Sequence, residues 1–257
     1  MAAGTKGEAQ TLNLTSTVRD FLYNGTTATV GGVVYTGHQD FENANGTDKG
    51  IVSTTLGTDN KPVYSSSTTT TTTHGAALFN QWYNTTARVN LATQYTLVAT
   101  LDGSGNYVYS NNAYFPIDGL LLGNQGATHN YSFTTEIHTN FTYQPGQTFG
   151  FTGDDDVWVF INKKLAIDLG GVHGAQSSSV NLGTQASALG LTAGGTYQLD
   201  IFQAERHTTG SNFQFTTNIV LASGTVIPEP SSSALVLAAV AVTFVIILRC
   251  NTSRRSS

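Results

Sequence analysis

Short runs in which apolar residues alternate with polar ones dominate this chain, and pairs of glycine or asparagine punctuate them. That is the pattern of half-buried β-strands joined by turns. Residues 12–23 read as a first strand that ends at Asn24-Gly25, and Gly31-Gly32 marks another turn. Val89, Leu91, Tyr95, Leu97 and Leu101 keep step along a strand over 89–101, and a strand over 107–109 follows across Asp102-Gly103-Ser104-Gly105. Between Tyr131 and Tyr143 the alternation puts Tyr131, Phe133, Ile137, Phe141 and Tyr143 on one face and Glu136, His138 and Asn140 on the other. The polar set reads as the outer face of a sandwich strand, with a ligand or acid-base pair at Glu136 and His138 as the alternative. Strands over 197–202 and 213–221 close the pattern, and no long amphipathic helix is evident.

The densest stretch is FTGDDDVWVFINKKLAIDLGGVH, residues 151–173. Val157, Val159 and Ile161 alternate with Trp158 and Phe160, the mark of a strand buried on both faces. Asn162-Lys163-Lys164 turns the chain into a second strand through Leu165, Ile167 and Leu169. At the entrance stand Asp154, Asp155 and Asp156, which repel one another unless water, donors or a cation compensates. Calcium suits such a cluster because it takes oxygen ligands in irregular geometry. Neighbouring side chains on an extended strand point to opposite faces, so two adjacent Asp residues chelate one ion only where the backbone bends or their peptide bond is cis. The residues alone leave a solvated acidic turn and a calcium site both open.

Elsewhere the polar segments carry weaker signals. His38, Asp40 and Glu42 at spacing two suggest one exposed strand face rather than a metal site. Residues 65–73, SSSTTTTTT, read as an exposed loop, flexible or O-modified. AALFNQWYN reads as a short helix or turn with Trp82 and Tyr83 packed inward. Gly170-Gly171-Val172-His173-Gly174 lacks the following helix of a phosphate cradle, which excludes nucleotide binding there. In the loop AERHTTGSN, Glu205 and Arg206 read as surface groups.

At 257 residues, 39% hydrophobic and 11% charged, the chain suits one all-β domain. Residues 1–226 carry 8 basic and 15 acidic residues, a balance of −7 that does not suit nucleic acid. The single cysteine, Cys250, forms no internal disulfide and reads as a bystander thiol, with lipidation as the alternative.

The run GDDDVWVFINKKLAIDLGGVHGAQSSSVNL, followed by AGGTYQLDIFQAERHTTGSNFQFTTNI, resembles the fibro-slime domain, a relative of the PA14 β-sandwich of surface and matrix proteins. The likeness extends through VRDF, HQDFEN, KPVY, FNQWYN, YFPIDG, HNYSF and TEIHTNFTY, over residues 18–221. It implies an antiparallel β-sandwich or jelly roll, with residues 1–17 as an N-terminal segment whose true start is missing. In sugar-binding PA14 domains two consecutive Asp residues joined by a cis bond hold a calcium that contacts sugar hydroxyls. The resemblance places that pair on Asp154 and Asp155; Asp156 falls where many PA14 domains have glycine, which leaves the register open by one residue. It also implies Asn212 as a further calcium ligand, and Trp158, His173, Glu205 and His207 as residues around the ligand.

Beyond residue 221 the pattern changes to Pro228-Glu229-Pro230, three serines, an apolar run over 234–248, then Arg249, Arg254 and Arg255. As a helix, fifteen apolar residues span about 22 Å, a marginal membrane anchor whose basic end stays in the cytoplasm. The order resembles the PEP-CTERM sorting signal, which implies an exosortase-type membrane protease acting on the tail. Residues 222–257 are therefore expected to be a linker and sorting segment, and the domain to be exported to the cell surface or matrix. N-terminal residues 1–13 contain no apolar signal-peptide core, which conflicts with export and is the reason for expecting a missing start.

Together these readings predict a non-enzymatic, calcium-dependent protein that binds extracellular polysaccharide or another glycan and adheres. A purely structural matrix protein is the alternative. A glycoside hydrolase using Asp155 and Glu205 is the third reading, and no nucleophile-elbow motif accompanies it.

Overall fold

The computed structural model describes residues 10–222, and in them the alternating runs become strands joined by tight turns. In chain order these are β1 (Thr11–Phe21), β2 (Thr27–Val30), β3 (Val33–Thr36) and β4 (Gly46–Thr47), then the short helix α1 (Ala76–Phe79). Next come β5 (Asn90–Leu101), β6 (Tyr107–Asn111), β7 (Phe133–Thr142), β8 (Thr148–Gly153), β9 (Asp156–Ile161) and β10 (Lys164–Leu169). β11 (Gly171–Val172), β12 (Gln176–Asn181), helix α2 (Leu182–Leu189), β13 (Thr196–Glu205) and β14 (Phe213–Thr217) complete the set. The first sheet strand thus begins at Thr11, ahead of the boundary expected at 18.

One antiparallel sheet carries most of them, in the order β10-β9-β13-β7-β1-β5-β6-β14-β8-β12. β5 and β6 share only the short ladder Thr100↔Val108 and Leu101↔Tyr107, and there the sheet turns over on itself. Its halves face each other across a common core, where Leu14, Ile137, Val159 and Ile201 of the first half meet Phe149, Phe151, Phe213 and Phe215 of the second. The edge strands β10 and β12 come back to within 8 Å of each other, Cα to Cα, without joining. The expected all-β antiparallel sandwich is therefore present. Burial of these aliphatic and aromatic faces drives it, at about 1.5–3 kcal/mol for each large side chain.

A second layer was not legible in the alternation. Along β1 the residues alternate in burial as far as Val18, but Arg19, Asp20 and Phe21 are all buried. β9 is buried at every position. What covers that outer face is the long segment 37–89, which contributes Phe41, Phe79, Trp82 and Tyr83 to an aromatic cluster with Trp158, Phe160 and Phe202. Trp82 and Trp158 lie 6.2 Å apart at their ring centroids.

Three expectations change accordingly. His38 and Asp40 do not lie on an exposed strand: they sit in a turn region and are buried, with Asp40 accepting from Trp82 Nε1 at 3.1 Å and from the His74 backbone at 2.8 Å. Residues 65–73 are not wholly exposed, because Thr72 and Thr73 are buried and Thr72 donates its hydroxyl to Asp48. Glu136 and His138 do not face solvent either. They form a buried ionic chain in which Arg19 Nη1 meets Glu136 at 2.6 Å, and His138 bridges Glu136 at 2.8 Å and Asp200 at 2.7 Å.

Helix α2 went unforeseen, yet its ends are written in the sequence. Asn181 caps it by accepting from the Gly183 and Thr184 amides, and Gly190 ends it at φ 71. No helix among the described residues is long and apolar enough to cross a membrane. The apolar run 234–248, Pro228, Glu229, Pro230, Arg249, Arg254 and Arg255 lie outside the described residues.

Candidate metal centre

β8 and β9 are joined by Asp154 and Asp155 alone, at one end of the sandwich. Gly153 makes the approach possible: a Cβ there would stand 2.6 Å from the Phe151 ring and 2.9 Å from the Asn212 carbonyl. The connection is pinned on both sides. Asp154 N donates to Asn212 O at 3.3 Å, Asp155 N to Ala204 O at 3.0 Å, and Gln203 Nε2 to Asp154 O at 2.9 Å. The peptide bond between Asp154 and Asp155 is cis, at the pair to which the resemblance pointed.

Both carboxylates line a small open cavity of about 250 Å³ shared with Asn45, His173, His207 and Thr209. Asn212 holds Asp154 with two donors, its backbone amide and its Nδ2 at 2.8 Å. The Arg206 amide donates to Asp155 Oδ2 at 2.9 Å. Asp156 takes a different part: one oxygen accepts from Arg206 Nε at 2.7 Å and the other from Gly171 N at 2.6 Å. It is fully buried and braces the pair from behind.

Behind the pair also lies Glu205, which is 1% exposed and has neither carboxylate oxygen hydrogen-bonded. The Ser211 hydroxyl and the His207 amide stand near it, short of hydrogen-bond geometry. Burial pushes the Glu205 carboxyl well above its usual range, and the charges of Asp155 and Asp154 push it further. Burial likewise raises Asp155 to about 8, against the pull of the Arg206 amide and guanidinium. Asp154 rises too, from burial, although Asn212 opposes it. So much negative charge in one dry corner is unfavourable unless it is compensated.

These residues fit a hard cation. Two carboxylates supply oxygen donors of the kind calcium takes, and the Glu205 carboxyl, without a hydrogen bond of its own, lies beneath them. Among the described residues no three His, Cys, Asp or Glu side chains form a group that would hold a metal. Asp154 and Asp155 are the two acidic side chains that line the cavity.

The other expected residues divide. His173 and His207 reach the cavity, whereas Asn212 acts through its amide donors on Asp154. Trp158 offers no face to a ligand: it is fully buried and donates to Asp168 Oδ1 at 3.0 Å. Glu205 and Arg206, expected at the surface, are buried. Arg206 reaches Asp156, the Asp40 carbonyl at 3.0 Å and the Thr72 carbonyl at 2.7 Å, with its guanidinium 4.4 Å over the Trp82 ring. This hub leaves no local pattern to read, because Arg206 lies 166 positions from Asp40 and 134 from Thr72.

Among known proteins, the PA14 domain profile matches residues 101–229. Protein psiQ of Dictyostelium discoideum is 42% identical over 191 residues, covering 68% of this chain and 19% of that protein. Protein psiD of the same organism is 39% identical over 189 residues, covering 68% of this chain and 37% of that protein. The chain thus spans roughly a fifth to two fifths of the length of these curated relatives. Among solved structures it is similar to a PA14 sugar-binding domain from an RTX adhesin, at 10% identity and TM-score 0.35, over 84% of this chain and 99% of that chain. With a profile match over half of its length, the chain belongs to the PA14 domain family.

Proposed function

We propose that this chain is a non-enzymatic, calcium-dependent carbohydrate-binding module that adheres to extracellular polysaccharide. The observation that carries the reading is the Asp154 and Asp155 pair on an open cavity, backed by a buried Glu205 with no partner of its own. Calcium held by the two carboxylates would keep coordination positions for the hydroxyls of a sugar, and the cavity rim at His173, His207 and Thr209 would select among sugars. The reading without catalysis is supported by Glu205: the acid that a glycoside hydrolase would pair with Asp155 has no exposed oxygen to offer a substrate.

A structural matrix role, with the ion serving only to stiffen loops, draws on the bonds of Asn212 to Asp154, which tie the 206–212 loop to the pair. The fibro-slime likeness, the exported location, the membrane attachment and the exosortase all rest on sequence: the runs quoted above, Pro228-Glu229-Pro230, the apolar stretch and the basic end.

A glycan array probed with the chain in calcium and in EDTA, beside Asp155→Asn, tests the reading. A set of arrayed glycans whose binding EDTA and the substitution both abolish is the expected result. Calcium uptake without any glycan signal would favour the structural role, and hydrolysis of an arrayed glycan would refute the non-enzymatic reading.

A further inference from the structure

β8 carries a glycine in the middle of its run. Gly150 has ordinary strand backbone, and a Cβ there would find its nearest neighbours, Ser179 Cβ and Thr216 O, at 3.8 Å. Neither conformation nor packing asks for glycine, and glycine inside a strand costs stability. Its effect is a dip in the outer face of the sheet. Gly150 stands between Ser179 of β12 and Thr216 of β14, and on the next outward rung Thr152 stands between Ser177 and Gln214. A hollow of about 380 Å³ is lined by these hydroxyl and amide side chains, and no charged residue borders it.

Ser179 also borders a larger groove of about 700 Å³ between β10, β12 and α2. Thr54, Thr55 and Gln185 supply polar groups there, and Leu165, Val180 and Leu189 supply apolar ones. Its one charged residue, Lys164, donates from its ammonium to the Ala188 carbonyl at 2.8 Å. The two hollows meet at Ser179 of β12, so one track with a single charged residue crosses the edge of the sheet. An anionic polymer finds no cluster of cations along it, only Lys164. A peptide strand would add to the edge of β12 and has no use for a dip on β8, both of whose edges are already paired. A chain of neutral sugar rings uses both features, with hydroxyls for the Ser, Thr and Gln groups and C–H faces for the small apolar patches.

We infer that this track is a second carbohydrate site, independent of the cation, which seats an extended segment of neutral polysaccharide across β14, β8 and β12. It goes beyond the calcium-dependent reading and does not need it: neither Asp154 nor Asp155 lines the track.

Affinity electrophoresis of the full chain through gels containing dextran, galactomannan or hydroxyethylcellulose, all in EDTA, tests it. At least one polymer retards the wild-type chain, and Gly150→Val weakens that retention about ten-fold while its thermal midpoint stays level or rises, because the site has room and a β-branched residue suits a strand. Passage of the wild type unretarded through all three gels overturns the inference, as does full retention of Gly150→Val. Retention that appears only with calcium overturns it as well, and returns the sugar to the acidic pair.

Discussion

Arg206 and Asp156 form the ion pair on which the acidic corner leans. The guanidinium is wholly buried, bonded to Asp156, to two backbone carbonyls of the covering segment and to the Thr72 hydroxyl, and stacked over Trp82. Removing one partner of such a pair leaves a buried charge without compensation, so Arg206→Ala should cost about 3–5 kcal/mol in urea unfolding. A loss below about 1 kcal/mol, the value of an exposed pair, would contradict this placement. His138 gives the pH dependence. Burial disfavours its charge, but Asp200 and Glu136 outweigh that and raise it from 6.5 to about 9. The proton is bound more tightly in the folded chain, so the contribution is full below about pH 6.5 and fades as the pH rises through about 9. Arg19 and Lys61 also face Glu136. The urea midpoint should fall across that window, and His138→Gln should flatten the fall; a profile unchanged by the substitution would assign the dependence elsewhere. At this scale the three aspartates were legible because adjacent like charges are conspicuous. Their division of labour was not, since Asp156 turns to an arginine fifty positions away.

The hairpin of β9 and β10 is the element that sequence described best. Five hydrophobic residues in a row, then Asn162-Lys163-Lys164, pointed to both strands and the turn between them; Lys164 opens β10, and the turn itself is Asn162 and Lys163. Those two turn residues adopt φ 51 and 63, the left-handed pair that a two-residue hairpin of the primed type needs. A side chain is strained there, so Lys163→Gly should raise stability by about 0.5–1 kcal/mol, readable as a higher urea midpoint; a fall would mean that the lysine stem packs usefully. The segment 37–89 was the least legible element. Its threonine run has no apolar face of its own, and what orders it is carboxylates elsewhere: Asp48 accepts from Thr70 and Thr72, and Asp40 from His74 and Trp82. Bonds of that kind, between residues tens of positions apart, leave no periodic trace.

Residues 10–222 form a folded-over antiparallel sheet with a second aromatic layer on half of its outer face, and the acidic pair sits where β8, β9 and the 206–212 loop converge. The sandwich could be read from alternation because each strand with one wet face alternates. The covered half could not, because β9, β13 and β7 are buried on both sides there, and their buried polar residues look in sequence like those of a wet face. The central claim is that the Asp154 and Asp155 corner is completed by a calcium ion. Thermal unfolding of the full chain in EDTA and in millimolar calcium, for the wild type and Asp155→Ala, tests it most directly. An ion present at about a hundred times its dissociation constant stabilises by about 2.7 kcal/mol, or roughly 5–10 °C for a domain of this size. A rise of that order in the wild type, absent in Asp155→Ala, is the predicted result. Identical midpoints with and without calcium in the wild type would contradict the account and leave the aspartates as a polar turn.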